Sequence, residues 1–310
     1  MLAIIIALLL DFALGDPAWK WHPVRVLGYI ADALEISCRK IHAIARVQGA
    51  VFLVLNVTLF MFFISLILFA ASFSKPLSTF IEGVMIYFAL GGTCLAREVS
   101  KVAARLVKDG PTSARGELRM LVSRDVDGMG EEEISSSAIE TLAENFSDSA
   151  CATLFYAAIG GALFAWIHRV ANTLDAMVGY KTDEYAEFGW ASALFDDIMN
   201  YLPSRISAVI VAIASPSVQG SVNLTLERAR LDGGSLASPN SGYPIAAFAG
   251  ALGVTLCGPV SYFGEMKEKP FIGTGQAPRV NDVMRAESLY WNAYAFAAAV
   301  ALALRCAMLS

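Results

Sequence analysis

Charge is what this sequence has least of. Only 16% of its 310 residues are Asp, Glu, Lys or Arg, whereas 56% are hydrophobic; soluble domains carry about 25% charged residues. These values exclude an ordinary soluble chain, and also disorder, which requires low hydrophobicity and high net charge. The net charge is -5 with no basic tract, so the positive footprint that nucleic-acid binding needs is missing. Cysteine and histidine are scarce too. Cys38, Cys94, Cys151, Cys257 and Cys306 show no C-x-x-C spacing, which argues against a disulfide framework or zinc site and reads as small buried hydrophobes. His22, His42 and His168 form no pair at helical ligand spacing, so transition-metal chemistry held by the protein is not expected. The sequence also lacks G-x-x-x-x-G-K-[ST], G-x-G-x-x-G and H-E-x-x-H; any nucleotide binds outside the standard phosphate loop.

What the sequence does have is long apolar runs. A spanning helix needs about 20 predominantly apolar residues. Residues 47–74 carry no charge, and residues 76–96 carry only Glu82, which predicts a helical hairpin joined by the S-F-S-K-P turn. Further spans are expected at 149–168, 206–226 and 288–304, with a membrane-buried piece at 245–260. The opening M-L-A-I-I-I-A-L-L-L-D-F-A-L-G lacks a basic n-region and an A-x-A cleavage site, and is read as a membrane helix rather than a signal peptide. The expectation is an all-α polytopic integral membrane protein, one membrane domain over 1–310, with about five to seven embedded helices. Lys20, Arg25, Arg39, Lys40 and Arg46 fall in segment 16–48, and seven basic residues fall between Arg97 and Arg124. Polar segments 16–48 and 97–148 are therefore expected in the cytoplasm, with the tip near Lys75 outside. A full crossing at 149–168 would put the polar stretch 169–205 outside, so that segment is read as re-entrant or incomplete.

Four polar clusters stand against this apolar background. In the first, Glu133, Ser137, Glu140, Glu144 and Asp148 recur every three or four residues and share a helix face. A solvated acidic stripe is the plain alternative. Because the stripe runs into an apolar span, and Mg2+ would relieve the repulsion with hard oxygen ligands, a metal role is expected. In the second, Asn172 and Asp175 lie about one turn apart, Asp196, Asp197 and Asn200 share another turn, and Pro203 is expected to end the helix before Arg205. With Arg169, Lys181 and Arg205 nearby this suits a metal-bound polyphosphate, although intrahelical ion pairs and an N-cap at Asn172 would also explain it. The third cluster presents Asp16, His22 and Arg25 from two Pro turns beside Trp19 and Trp21, which also suit interfacial anchoring. The fourth, Ser238 to Pro244, offers Asn240 and Gly242 as donors or forms a plain turn.

Taken in order, G-D-P-A-W-K-W-H-P-V-R-V-L-G, R-D-V-D-G-M-G-E-E-E-I-S-S-S-A-I-E-T-L-A-E-N-F-S-D, the N-T-L-D to L-P-S-R segment over 172–205, and S-P-N-S-G-Y-P resemble the adenosylcobinamide-phosphate synthase family of membrane amide synthases. The likeness runs from Leu10 to about Gly275 and is densest between Arg124 and Arg205. It implies ATP-dependent joining of adenosylcobyric acid to (R)-1-amino-2-propanol O-phosphate, with Mg2+ as cofactor and a large corrinoid as substrate. It also implies a location in the cytoplasmic membrane with the site facing the cytoplasm, and contacts with other membrane enzymes of the corrinoid pathway. Nucleic acid is not an implied partner; a transporter, or a non-catalytic sensor of the same fold, are the competing classes.

Carried residue by residue, the resemblance puts Asp16, Arg25, Arg124, Asn145, Asn172, Lys181, Asn200, Arg205 and Asn240 at substrate or phosphate. The resemblance gives these as motif positions; from their chemistry, Glu140, Glu144, Asp148, Asp175, Asp196 and Asp197 are expected at metal, with His22, Glu144, Asp148 and Asp197 in catalysis. Trp166, Tyr185 and Trp190 are the aromatics expected to face the corrin. The sequence departs from the family in the fourth motif, where Tyr243, Pro244 and Ile245 replace an aromatic-Pro-Glu and G-G-S-L-A replaces a basic stretch. Ethanolamine phosphate is therefore an alternative amine substrate.

Overall fold

The computed structural model describes residues 1–17, 19–262 and 264–309. Its helices, in chain order, are α1 (Leu2–Leu14), α2 (Pro23–Cys38), α3 (Ala45–Ala71), α4 (Lys75–Ala89), α5 (Gly92–Asp109), α6 (Pro111–Leu118), α7 (Glu131–Asn145), α8 (Ala152–Val178), α9 (Trp190–Ala214), α10 (Val222–Asp232), α11 (Gly242–Leu252) and α12 (Val280–Leu309). Four three-residue strands, β1 (Thr255–Cys257), β2 (Val260–Tyr262), β3 (Glu265–Lys267) and β4 (Phe271–Gly273), lie between α11 and α12. The protein is an all-α polytopic membrane protein: among the described residues five helical stretches are long and apolar enough to cross a bilayer. They are Ala45–Ala71, Lys75–Asp109, Glu131–Val178, Trp190–Val218 and Val280–Met308.

Several boundaries differ from the sequence expectation. The span expected at 206–226 is instead α9, which starts at Trp190 and runs through Pro203. Proline removes the N–H that would bond the carbonyl four residues earlier. Here that carbonyl, Met199 O, accepts from Tyr156 Oη at 2.7 Å instead, so the helix continues. The piece expected at 245–260 is only the eleven-residue α11, ended by Gly253 in the left-handed region, and the chain then enters the strands. At thirteen residues, α1 is likewise too short to cross by itself.

The chain forms two compact units. The first comprises 1–91, 152–200 and 300–310; within it α1 packs along α4, α2 along α3, and α8 against α2, α3 and α4. Its central feature is a reversal. Gly160 and Gly161 leave helical geometry, Gly161 taking φ 64 and ψ -152, a region that only glycine enters freely. Thr153 Oγ1 and Arg169 Nε both donate to Ala89 O, at 3.4 and 2.7 Å. A straight helix would separate those two residues by about 24 Å. Segment 152–178 is thus a helical hairpin that reverses at Gly160 and Gly161. The carbonyls freed at the end of its first arm, Ala158 O and Ile159 O, face Arg305 Nη1 at 3.4 Å each. Arg305 also pairs with Glu82 at 3.8 Å, a cation at a helix C-terminus where the dipole favours it.

The second unit comprises 92–151 and 201–299. Its centre is α7, buried along most of its length after the first turn, which packs on α5, α6, α11 and β1. The strands form a ribbon of two antiparallel pairs, β1 with β4 and β2 with β3. No strand was expected from the sequence, because three-residue strands leave no alternation to detect.

Candidate functional site

In the second unit the first acidic cluster proves to be of two kinds. Glu140 is buried and fully engaged: Arg124 Nη2 donates to its Oε2 at 2.9 Å, Ser136 Oγ to its Oε1 at 2.7 Å, and the Cys257 backbone N–H to the same Oε1 at 3.1 Å. Arg124 is held further by Ser137 Oγ at 3.2 Å. Burial works against the Arg124 charge, but Glu140 more than offsets it and holds the guanidinium above its ordinary value. Glu140 is therefore the counter-ion of Arg124, and the metal role expected for it does not fit its contacts.

Glu144, half-buried one turn on, lies within electrostatic reach of Glu140, Arg124 and Lys269. The expected continuous stripe ends at Phe146, where the helix widens into a π turn over Phe146–Cys151. Asp148 sits inside that turn, half-buried. Asn145, at its start, donates to Thr141 O and accepts from Ser149 Oγ at 3.4 Å.

The ribbon closes over this cluster. Asp125 accepts from Ser261 Oγ at 2.5 Å and from the Gly264 N–H at 2.8 Å, tying β2 and the following turn to the loop before α7. Between them lies a cavity of about 320 Å3 lined by Arg124, Ser137, Glu140 and Cys257. A neighbouring cavity of about 490 Å3 shares Glu133, Ser136 and Cys257 with it. Cys257 adopts φ 64, uncommon for a residue with a side chain, and burial, with Glu140 and Glu144 adding, pushes its thiol up. Lys269 reaches Tyr262 Oη at 3.2 Å. Sequence reasoning missed Cys257, Ser261 and Lys269, although G-P-V-S-Y and K-E-K-P are turn-rich and polar enough to mark an excursion.

Arg205 and Asn240, both in this unit and from separate polar clusters of the sequence, come together. The Arg205 guanidinium lies 3.5 Å from the centre of the Tyr201 ring and 4.2 Å from that of Tyr243, and its Nη1 approaches Asn240 Oδ1 at 3.5 Å. Tyr243, one of the departures from the family pattern, is thus a stacking partner of Arg205. Gly242 is required for close approach, since a Cβ there would overlap Gly233 O.

In the first unit the returning arm of α8 and the start of α9 present the second cluster. His168, Asn172 and Asp175 share one face of the arm; Asp196 and Asn200 are one turn apart on α9. Asn200 Nδ2 donates to Asp196 Oδ1 at 3.0 Å, and Asn172 supplies a second amide. The other groups acting on Asp196 are the carboxylates of Asp175 and Asp197, and Lys181, exposed in the connection to α9, acts on Asp197. Among the described residues no three His, Cys, Asp or Glu side chains converge on a point able to hold a metal by themselves. The donor set fits Mg2+, which is commonly held by one or two carboxylates together with substrate phosphates.

The third cluster, also in the first unit, is partly assembled. His22 caps α2 by accepting from the Val24 N–H through Nδ1 at 3.3 Å. The ring proton is therefore on Nε2, which faces Asp16 Oδ1 at 2.8 Å. Nδ1 is taken by the cap, Nε2 faces Asp16 without a well-aligned hydrogen bond, and Arg25 is exposed on the first turn of α2. Of the aromatics considered for the corrin face, for which core packing was the plainer reading, Trp166 is in the core: it is 2% exposed, donates to Met85 O at 2.8 Å and stacks on Phe60. Trp190 is exposed at the end of an apolar groove along α3, while Tyr185 lies under Arg39.

A family model described as CobD/Cbib protein matches residues 4–290. The chain is similar to "Cobalamin biosynthesis protein CobD" of Clostridium perfringens, at 36% identity over 99% of this chain and 98% of the relative. It is similar to the protein of the same name in Geobacter metallireducens at 40% identity, over 89% of this chain and 87% of the relative. To "Cobalamin biosynthesis protein CbiB" of Salmonella arizonae it is 35% identical over 99% and 98%. No solved structure matches.

Proposed function

The chain belongs to the CobD/CbiB protein family, whose role lies in cobalamin biosynthesis, and we propose that it is the ATP- and Mg2+-dependent amide synthase joining adenosylcobyric acid to (R)-1-amino-2-propanol O-phosphate. The observation that carries this reading is the acid and amide cluster on α8 and α9, in a chain matched to the family over nearly its whole length. A carboxylate and an amine do not condense usefully in water, because hydroxide is a poor leaving group. Transfer of the ATP γ-phosphoryl group to the corrinoid carboxylate releases ADP and gives an acyl phosphate. The amine then attacks the acyl carbon, phosphate leaves, and one proton is lost from nitrogen.

Asp175 and Asp196, with Asp197, would hold Mg2+, which neutralises phosphate charge when bound. Glu144 and Asp148 are the further acidic groups in this reading. Arg25, Arg124, Lys181 and Arg205 take phosphate charge, and Asp16, Asn145, Asn172, Asn200 and Asn240 orient the substrates. Asp197 takes the proton that the substrate ammonium must lose before its lone pair can attack, in preference to His22, whose Nδ1 already accepts from the Val24 N–H. A site in the cytoplasmic membrane, open to the cytoplasm, would shield the acyl phosphate from water while admitting an amphipathic corrinoid.

The test is phosphate release by the detergent-solubilised protein with ATP, Mg2+, adenosylcobyric acid and the aminopropanol phosphate, each omitted in turn. The reading expects release that requires the corrinoid, together with a new amide by mass spectrometry. A folded sample that forms no amide would overturn it and shift weight to transport, since discontinuous membrane helices around polar groups are also a transporter feature.

A further inference from the structure

His168 takes no part in the chemistry above, yet it is one of the most completely enclosed polar side chains in the first unit, with 0% exposure. The reversal at Gly160 and Gly161 lays its ring on that of Tyr156 from the first arm, with centroids 5.5 Å apart and planes 21° from parallel. Tyr156 is itself fixed by donating to Met199 O at 2.7 Å, the carbonyl next to Asn200. His168 Nε2 then lies 2.9 Å from Asn200 Oδ1, and Asn200 Nδ2 lies 3.0 Å from Asp196 Oδ1.

The donor inventory gives this chain a direction when Asp196 is ionised, the form that meets a cation: a carboxylate can only accept, so the amide turns its N–H towards Asp196 and its oxygen towards His168. The imidazole must then donate through Nε2, which leaves Nδ1 as the bare nitrogen. Nδ1 is buried without a hydrogen-bond partner, the position where a proton would be most costly to place. We propose that His168 is a positioning residue: its Nε2–H holds the Asn200 amide in the orientation that delivers an N–H, rather than an oxygen, to Asp196. Without that donor the amide can rotate by half a turn, opposing its own oxygen to the carboxylate and altering what Asp196 offers to a cation or substrate. The proposal rests on the assignment of Asp196 and Asn200 to the reacting cluster.

Two measurements test it in the full-length solubilised protein. The first is amide formation by His168→Leu, His168→Gln, Asn200→Leu and the His168→Leu/Asn200→Leu double variant. Leucine at 168 should lower kcat about tenfold or more, as loss of an outer partner of a metal ligand does, while the protein remains folded in the same detergent. Glutamine, whose amide N–H can replace Nε2–H, should recover most of that loss. The double variant should be no slower than Asn200→Leu alone. Wild-type turnover in His168→Leu, equal impairment by leucine and glutamine, or additive losses in the double variant would each overturn the proposal.

The second measurement does not depend on turnover. The 15N spectrum of the His168 ring, assigned by its disappearance in His168→Gln, should show Nε2 protonated and Nδ1 bare. The opposite tautomer would overturn the proposal even where amide synthesis is confirmed. A wild-type protein that forms no amide while showing the expected tautomer would count against the reaction assigned above and leave the hydrogen-bond chain intact.

Discussion

Two acidic centres in this molecule solve the same problem in opposite ways. Around Glu140 in the second unit, a guanidinium, a hydroxyl and a backbone N–H all donate to the carboxylate, against one neighbouring carboxyl, Glu144. Around Asp196 in the first unit, two amides are opposed by two more carboxylates. A carboxylate closed off by a cation is part of the scaffold, because breaking such a pair leaves a buried charge uncompensated. Carboxylates gathered beside one another raise the energy of the folded state, which a ligand of positive charge would lower. Residues of one chemical type, both named by the same family resemblance, thus sit in different electrostatic surroundings.

The comparison can be broken from either side. Glu140→Gln should cost about 3–5 kcal/mol of stability, because Arg124 loses its counter-ion; thermal or denaturant unfolding in detergent reads this, and Arg124→Gln added to it should recover part of the loss. Asp196→Asn should do the reverse. It should reduce amide formation by at least about a hundredfold, beyond the 10–100-fold seen for outer partners of metal ligands, with stability unchanged or slightly raised. A destabilised Asp196→Asn protein with normal turnover would erase the distinction. Gly161→Ala should cost about 1–3 kcal/mol, because it forces a side chain into a backbone region that only glycine enters freely and against Glu82. Its unfolding midpoint should fall while Asn172 and Asp175 remain in sequence to be tested.

The smallest effect is one of pH. The folded state holds the Cys257 thiol above its ordinary value, so its contribution to stability is fully present below the unfolded thiol pKa of about 8.5 and is lost as pH rises through the folded value. Unfolding measured upwards from pH 8 should show this decline in wild type and less of it in Cys257→Ala. Iodoacetamide should accordingly modify Cys257 slowly at pH 8, as read by peptide mass.

Much of the site was legible because its residues are close in sequence. The face of Asn172 and Asp175 and the turn of Asp196 and Asn200 follow from helical spacing, and the structure retains both. Less legible was anything fixed by a partner far along the chain. Nothing near Glu140 in sequence announces that Cys257 will donate to it, and nothing near Pro203 announces that Tyr156 will take up the carbonyl that proline leaves open. The π turn from Phe146 to Cys151 was not legible either, since spacing alone assumes 3.6 residues per turn. His22 looked like an open base until the Val24 N–H occupied Nδ1.

By itself, the sequence determined the class of the protein, the family it belongs to and the composition of its polar clusters, since hydropathy, charge and local spacing act within a few turns of chain. Tertiary structure decided where the chain reverses, which carboxylate is neutralised and which way each amide and imidazole points. Those are set by partners tens of residues away, whose hydrogen bonds become worth making only once burial has removed water as the alternative.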